Sequence, residues 1–342
     1  MKLDLSVYDV SAYVYAGMSN SNYENRKFIN YPVGGIQYLM KYVVSDLKAG
    51  KFVALAFDSR SFRKDLMKEY KAGRVPDYRV YSQLEFLYEY LNKCGIACYK
   101  KQGYEADDLI YNIVNQNKAN HLQTIIYGTD YDLTHNVDER RVRFGAATNI
   151  VNSISPINFA TSIVKGELIF FNTISAYKVF VGDHSDNIPA FKSARGLTGK
   201  ALYNKFVQLI TKSSKPLTSE QTKSRTLLEW YIKQLDSILF DVDKQELKRR
   251  MDIVFPVELN DDFTYVSNEK SINMELLKSF LVMVNDNTTL KSLGGYGTVT
   301  DEMKMILGKR AKELETGEFA VDRNKVVSAM PANTFMLNLK EF

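Results

Sequence analysis

The sequence predicts an α/β chain, with a mostly parallel central sheet flanked by helices and a helical region after it. Short continuous apolar runs alternate with amphipathic stretches over the first part of the chain, as in βαβ units. Three of those runs end at or just before an aspartate: Asp9, Asp58 and Asp130. From Phe144 onward the strand signal fades and helical periodicities take over.

Taken in order, residues 3–10 form a short apolar run with Val and Tyr, a buried-strand candidate. Turn signals follow, and then residues 36–47 carry apolar positions at helical spacing. Residues 51–57 are a second apolar strand, ending in Asp58. A basic segment comes next, from Arg60 to Arg79, with Phe62, Tyr70 and Tyr78 among the cations. Residues 83–91 read as helix and 96–99 as a third strand. Glu105, Asp107 and Asp108 open a further helix, where acids in the first turn complement the macrodipole. Residues 124–127 are a fourth strand, closing on Gly128-Thr-Asp130-Tyr-Asp132.

Beyond it, residues 153–177 read as a connector and a helix leading into Val181-Gly-Asp183-His-Ser-Asp186-Asn-Ile-Pro189. Asp183 and Asp186 would share a face if the backbone there were helical. Gly196-Leu-Thr-Gly-Lys200 reads as a tight hairpin before a helix over 201–210. Residues 226–238, 245–254 and 274–284 are further helical candidates, the second of them helical or extended. Residues 301–314 form a charged amphipathic candidate, and 320–342 show no period.

Composition narrows the function classes. The 342 residues suggest about two domains. Lys+Arg 45 against Asp+Glu 40 gives +5, so any nucleic-acid surface must be local and the acids clustered elsewhere. No apolar run is long enough for a membrane span, and the N-terminus lacks a signal peptide's apolar core. Two cysteines, Cys94 and Cys98, with three scattered histidines, cannot fill a zinc site. The expectation is a cytoplasmic protein with reduced, structural thiols.

The chemistry lies in the acids. In a parallel sheet, ligands bind beyond the carboxyl ends of the strands, where Asp9, Asp58 and Asp130 stand. Such carboxylates repel one another unless a cation or a raised pKa intervenes. A dense carboxylate set without His or Cys selects hard divalent ions, Mg²⁺ or Mn²⁺. Two such ions can activate water against a phosphodiester. No Walker A or Gly-rich dinucleotide loop is present, and the basic segment fits a polymeric phosphate.

Six stretches in order carry a resemblance: Tyr-Asp9, Phe-Asp58, Glu-Tyr70-Lys71-Ala-Gly-Arg74, Glu105-Ala-Asp107-Asp108, Gly-Thr-Asp130-Tyr-Asp132 and Gly-Asp183-His-Ser-Asp186-Asn-Ile-Pro. Together the chain resembles the 5′-nuclease (flap endonuclease) superfamily, in the style of bacteriophage 5′→3′ exonucleases with flap-endonuclease and RNase H activity. The resemblance implies a PIN-like nuclease domain over 1–178 with an arch at about 59–82. It also implies a helix–hairpin–helix region over 179–294 and a C-terminal extension over 295–342. It implies two groups of metal ligands, Asp58, Glu105, Asp107 and Asp108 with Asp9 nearby, and Asp130, Asp132, Asp183 and Asp186. Tyr70 would stack on a base or steer the 5′ end, Lys71 would stabilise phosphoryl charge, and Arg63 and Arg74 would hold flanking phosphates. Arg195, Gly196, Gly199 and Lys200 would grip duplex backbone at the hairpin, where the family often binds K⁺. Thr198 stands where that hairpin usually has glycine, and Val10 follows Asp9 where the family usually has glycine.

The expected substrate is DNA with a 5′ flap or single-strand/duplex junction, or an RNA–DNA hybrid, cut by a phage-encoded monomer. A replication clamp or single-strand-binding protein would bind through the C-terminus, although residues 335–339 could simply dock on the domain. Competing readings are a PIN-type ribonuclease and a catalytically silent binder of branched DNA. Bland readings accompany each motif. The basic segment could be an ordinary charged face, the acids of 105–108 mere helix-dipole partners, and His184 a solvent-facing residue.

Overall fold

The computed structural model describes residues 4–20, 27–28, 31–118, 123–137, 142–145, 161–164, 167–170, 173–192, 196–211, 224–235 and 244–294. The expected C-terminal extension from 295 and Arg195 lie outside them. The chain divides into two compact units. The first comprises Met1–Ser59, Pro76–Gly128 and Asp261–Phe342, and the second Arg60–Val75 and Thr129–Asn260. The boundary expected at 178/179 falls inside the second unit.

The first unit is built on parallel strands. β1 (Asp4–Asp9) is followed by helix α1 (Val10–Ser19) and helix α2 (Gly34–Lys48). Then come β2 (Phe52–Phe57), α3 (Tyr78–Lys93), β3 (Ala97–Lys100), α4 (Ala106–Asn117) and β4 (Gln123–Tyr127). Their order is β3-β2-β1-β4, every pair parallel, with Tyr8 opposite Leu55 on one side and Tyr127 on the other. The chain order reverses beside β1, so the carboxyl end of β1 is the switch point where such sheets bind ligands. Burial on both faces explains the unbroken apolar runs, with Leu5, Val7, Val53, Ala54 and Leu55 wholly buried.

Helix α1 has no counterpart in the sequence reading. Its residues are apolar nearly all round, and Val10, Tyr13, Val14 and Met18 are buried, so no polar face marks a period. Two further helices of the first unit are Met274–Met283, which begins where Asn273 accepts the Leu276 N–H, and Asn287–Ser292. Just before the first of these, Ser267 exchanges backbone hydrogen bonds with Val53 and receives the Ala97 N–H on its hydroxyl. This later segment therefore closes over the edge residues of β2 and β3.

The second unit is mainly helical among its described residues: Ile174–Val181, Gly199–Thr211, Arg225–Leu235 and Lys244–Val254. Phe180, Leu202, Phe206, Leu228, Tyr231, Leu247 and Met251 form its core. A two-stranded antiparallel pair, Thr161–Val164 with Glu167–Phe170, lies within the stretch expected to be connector and helix. The 245–254 segment, left open between helix and strand, is helical.

Candidate metal centre

In the first unit the acids stand where strand ends meet helix starts. Asp9, the last residue of β1, caps α1 by accepting the Ala12 N–H at 3.2 Å. Asp58 follows β2; one carboxylate oxygen accepts the Ala106 N–H at 2.8 Å and the other the Ser11 hydroxyl at 2.5 Å. Glu105 and Asp108 make a reciprocal capping box at the start of α4, and Asp108 is wholly buried. Asp107 lies half-buried in the same first turn. The dipole-partner reading of these acids is thus met in geometry, and Ser11 joins them as a residue the sequence did not single out.

The second unit gathers its acids differently. Helix Ile174–Val181 stops at Gly182, whose φ of +84° and contacts leave no room for a side chain. A Cβ there would lie 2.4 Å from the Ile188 carbonyl oxygen. Asp183 and Ile188 then exchange backbone hydrogen bonds of 2.8 and 2.7 Å, closing a turn through Asn187 at φ +57°. Asp183 and Asp186 therefore meet across a tight turn, not along a helix face as the spacing suggested. Asp132 enters from a 3₁₀ turn, Tyr131–Asn136, capped by Asp130, whose carboxylate accepts the Asp132 N–H at 3.1 Å. One carboxylate oxygen from each of Asp132, Asp183 and Asp186 lies within 4.8 Å of the others.

Cations balance this group. The Lys178 ammonium is paired with both Asp132 and Asp183. Arg74 donates to Asp186 at 2.7 Å, and the Lys71 ammonium stands 4.0 Å from the other Asp186 oxygen. Burial pushes Asp132 up to about 7, against the pull of Lys178 and with the neighbouring Asp130 and Asp186 adding to the rise. Burial also raises Asp186, outweighing Lys71 and Lys178. Burial acts upward on Asp183 as well, but the Lys178 ammonium and the Ser185 hydrogen bonds hold it below the usual carboxylate range. Lys178 stays charged: burial would lower it, and Asp132 and Asp183 more than reverse that. Three oxygen donors with no nitrogen or sulphur among them fit a hard divalent ion.

Several residues expected to touch substrate are engaged elsewhere. Arg63 is buried, with Nε donating to the Ile253 carbonyl at 2.6 Å and Nη2 to that of Phe255 at 3.2 Å. Its guanidinium is consumed inside the unit, which removes it as a phosphate holder. Tyr70 is 3% exposed, packed with Met67, Ile188 and Ile253, so it presents no face for a base. Lys71 keeps partial exposure and adopts φ +52°, its N–H donating to the Asp186 carbonyl at 3.1 Å. His184 is exposed, in line with the solvent-facing reading.

At the hairpin, Gly199 belongs to the packing. Its N–H donates to the Phe191 carbonyl at 3.0 Å, and a Cβ would fall 1.7 Å from the Phe180 carbonyl oxygen. That amide is spoken for and cannot serve a phosphate. Thr198 has a positive role: its hydroxyl accepts the Ala201 N–H at 3.2 Å, capping helix Gly199–Thr211. Gly196 and Lys200 are exposed.

Two basic residues escaped the sequence reading. Lys178 is the lone charge in the apolar run Ile174–Val181, and a buried helical cation demands partners; that was a readable signal. Arg250 sits in Lys248-Arg-Arg250, which reads as a solvated face, yet its side chain is 4% exposed. It pairs with Glu246 and donates to the carbonyls of Val179 and Pro189, one on each side of the Asp183–Asp186 turn.

The family described as "5'-3' exonuclease, N-terminal resolvase-like domain" matches residues 5–162. A DNA polymerase I from Caldicellulosiruptor bescii is 30% identical over 186 residues, 53% of this chain and 22% of the polymerase. The chain thus spans about a fifth of that relative's length. A 5'-3' exonuclease from Buchnera aphidicola subsp. Acyrthosiphon pisum is 31% identical over 208 residues, covering 58% of this chain and 70% of that protein. The T5 D15 protein, solved with metal ions, aligns over 91% of this chain and 99% of its own at 16% identity and a TM-score of 0.44. Because the Buchnera exonuclease is 31% identical and is covered over 70% of its length, the chain belongs to the 5'-3' exonuclease family.

Proposed function

We propose that the chain is a divalent-metal-dependent, structure-specific 5′→3′ nuclease, hydrolysing phosphodiester bonds at 5′ ends, flaps or RNA primers during DNA replication or repair. The convergence of Asp132, Asp183 and Asp186 carries this reading, because an oxygen-only donor set suits Mg²⁺ or Mn²⁺. When bound, such ions lower the pKa of water and balance charge on a phosphoryl group. This chain's own residues would do the rest. Asp130 shapes the turn that delivers Asp132, and Asp58, Glu105, Asp107 and Asp108, with Asp9 nearby, would form the other group of metal ligands. Lys71 and Arg74, the cations beside Asp186, are the groups assigned to the substrate phosphates.

The division of labour follows the same reading. Residues 1–178 together with the Asp183–Asp186 turn would carry the chemistry, and the hairpin region beyond that turn the grip on duplex DNA, through Gly196, Lys200 and a K⁺ site. A replication clamp or single-strand-binding protein would be met through residues 330–342.

A 5′-flap duplex assayed with Mg²⁺ tests the core of the proposal. Asp183→Asn combined with Asp186→Asn, or Asp130→Asn alone, should abolish cleavage while DNA binding persists, and EDTA should silence the unaltered protein. Full activity of the double variant with Mg²⁺ would refute the site.

A further inference from the structure

We propose that Lys178 is a built-in counter-cation that competes with the divalent ion for Asp132 and Asp183, and so sets the affinity of this site. The inference rests on the metal reading above and deepens it. Asp132, Asp183 and Asp186 bring three negative charges into one partly buried group, and Lys178, Lys71 and Arg74 stand against them. The three cations are not equivalent. The Arg74 side chain is 55% exposed and Lys71 only approaches Asp186 from 4.0 Å, whereas the Lys178 side chain is 12% exposed and touches two carboxylates at once.

Bridging two acids that converge within 4.8 Å of a third is the geometry a metal ion would require. Lys178 also has nowhere else to put its charge. It projects from helix Ile174–Val181, whose other residues are apolar apart from Ser175, and whose Ile174, Ala176, Tyr177, Val179 and Phe180 belong to the core of the unit. A buried ammonium needs partners, and the acids supply them. The carboxylates are held at close quarters by the same ammonium, so the group stays assembled without an ion. For a divalent ion to take both oxygens, the ammonium must give them up. The cost of that exchange weakens binding and makes it reversible.

The sign of the effect separates this from an ordinary supporting role. A residue that merely holds the acids in place would, on removal, weaken metal binding; a competitor would strengthen it. Titration calorimetry with Mn²⁺ alone should show Lys178→Met and Lys178→Gln binding roughly tenfold or more tightly than the unaltered protein, since a unit charge a few ångströms away has been removed. Asp183→Asn should bind more weakly. Both Lys178 variants should unfold at lower temperature without metal and regain more stability than the unaltered protein when Mn²⁺ is added.

A second measurement needs no variant. Amine acylation followed by mass spectrometry should label Lys178 several-fold faster in Mn²⁺ than in EDTA, with surface lysines unchanged. If the unaltered protein binds Mn²⁺ but the Lys178 variants bind it equally or less well, or if labelling of Lys178 does not rise, the inference is overturned while the metal site stands. If neither the unaltered protein nor the variants bind Mn²⁺, the metal reading itself fails and the inference falls with it.

Discussion

The Arg250 guanidinium donates a 2.6 Å hydrogen bond to the carbonyl oxygen of Pro189, the residue that closes the acid-bearing turn. The same nitrogen reaches the Val179 carbonyl at 3.2 Å, and the guanidinium lies 5.6 Å from the Phe191 ring centroid. One buried cation thus clips both shoulders of the segment that presents Asp183 and Asp186. Arg250→Ala should cost about 3 kcal/mol in urea unfolding, because two carbonyls lose their donor inside the unit and Glu246 is left with Arg249 alone. Arg250→Lys should cost less but not zero, since a single ammonium cannot reproduce the fork.

Arg63 makes an informative contrast with Arg74. Both lie in the basic segment, yet Arg63 is buried against the Ile253 and Phe255 carbonyls and Arg74 is exposed beside Asp186. Arg63→Ala should lower stability by about 2 kcal/mol and leave the salt dependence of DNA binding unchanged. Arg74→Ala should do the reverse, with little effect on unfolding and a shallower salt slope in a binding titration.

Thr198 caps helix Gly199–Thr211 with its hydroxyl. Thr198→Ala should cost about 1 kcal/mol, and Thr198→Ser a few tenths at most. Thr198→Gly should also destabilise slightly, measurable by thermal unfolding.

The cysteines should be silent in the native protein. Cys94 is wholly buried, and burial pushes its thiol up to about 12; Cys98 is raised in the same direction by burial and by Cys94. A raised thiol favours the fold while protonated, so this contribution is complete below the ordinary thiol range and is lost as pH climbs from there towards about 12. Thiol titration at pH 8 should count no reactive group until denaturant is added, and stability should decline on the alkaline side.

What was legible in the sequence is what repeats or alternates. The strands of the parallel sheet announced themselves as apolar runs, and the acids at their ends followed from the logic of such sheets. Residues 78–93 and 274–283 emerged from periodicity to within a few positions. What stayed hidden depends on partners distant in sequence. Tyr70 looks like a stacking platform until Ile188 and Ile253 close over it. Arg250 looks solvated until the turn at 183–189 arrives. Asp183 and Asp186 invited a helix because their spacing fits one, and only the positive φ of Gly182 and Asn187 turns the backbone aside. Helix α1 left no trace since it is apolar on nearly every side.

The Ser267 segment carries a consequence for how the chain matures. Its hydrogen bonds to Val53 and Ala97, with Asn273 bonded to the Cys94 carbonyl and Asn117 to that of Phe263, complete the sheet unit using residues translated long after β4. A nascent chain halted at residue 128 would hold strands β1–β4 and yet lack the covering for β2 and β3. The sheet would wait, partly open, while Thr129–Asn260 is synthesised. Removing residues 261–294 should therefore harm the strands laid down first, and a protease probe of the stalled chain should find β2 and β3 accessible.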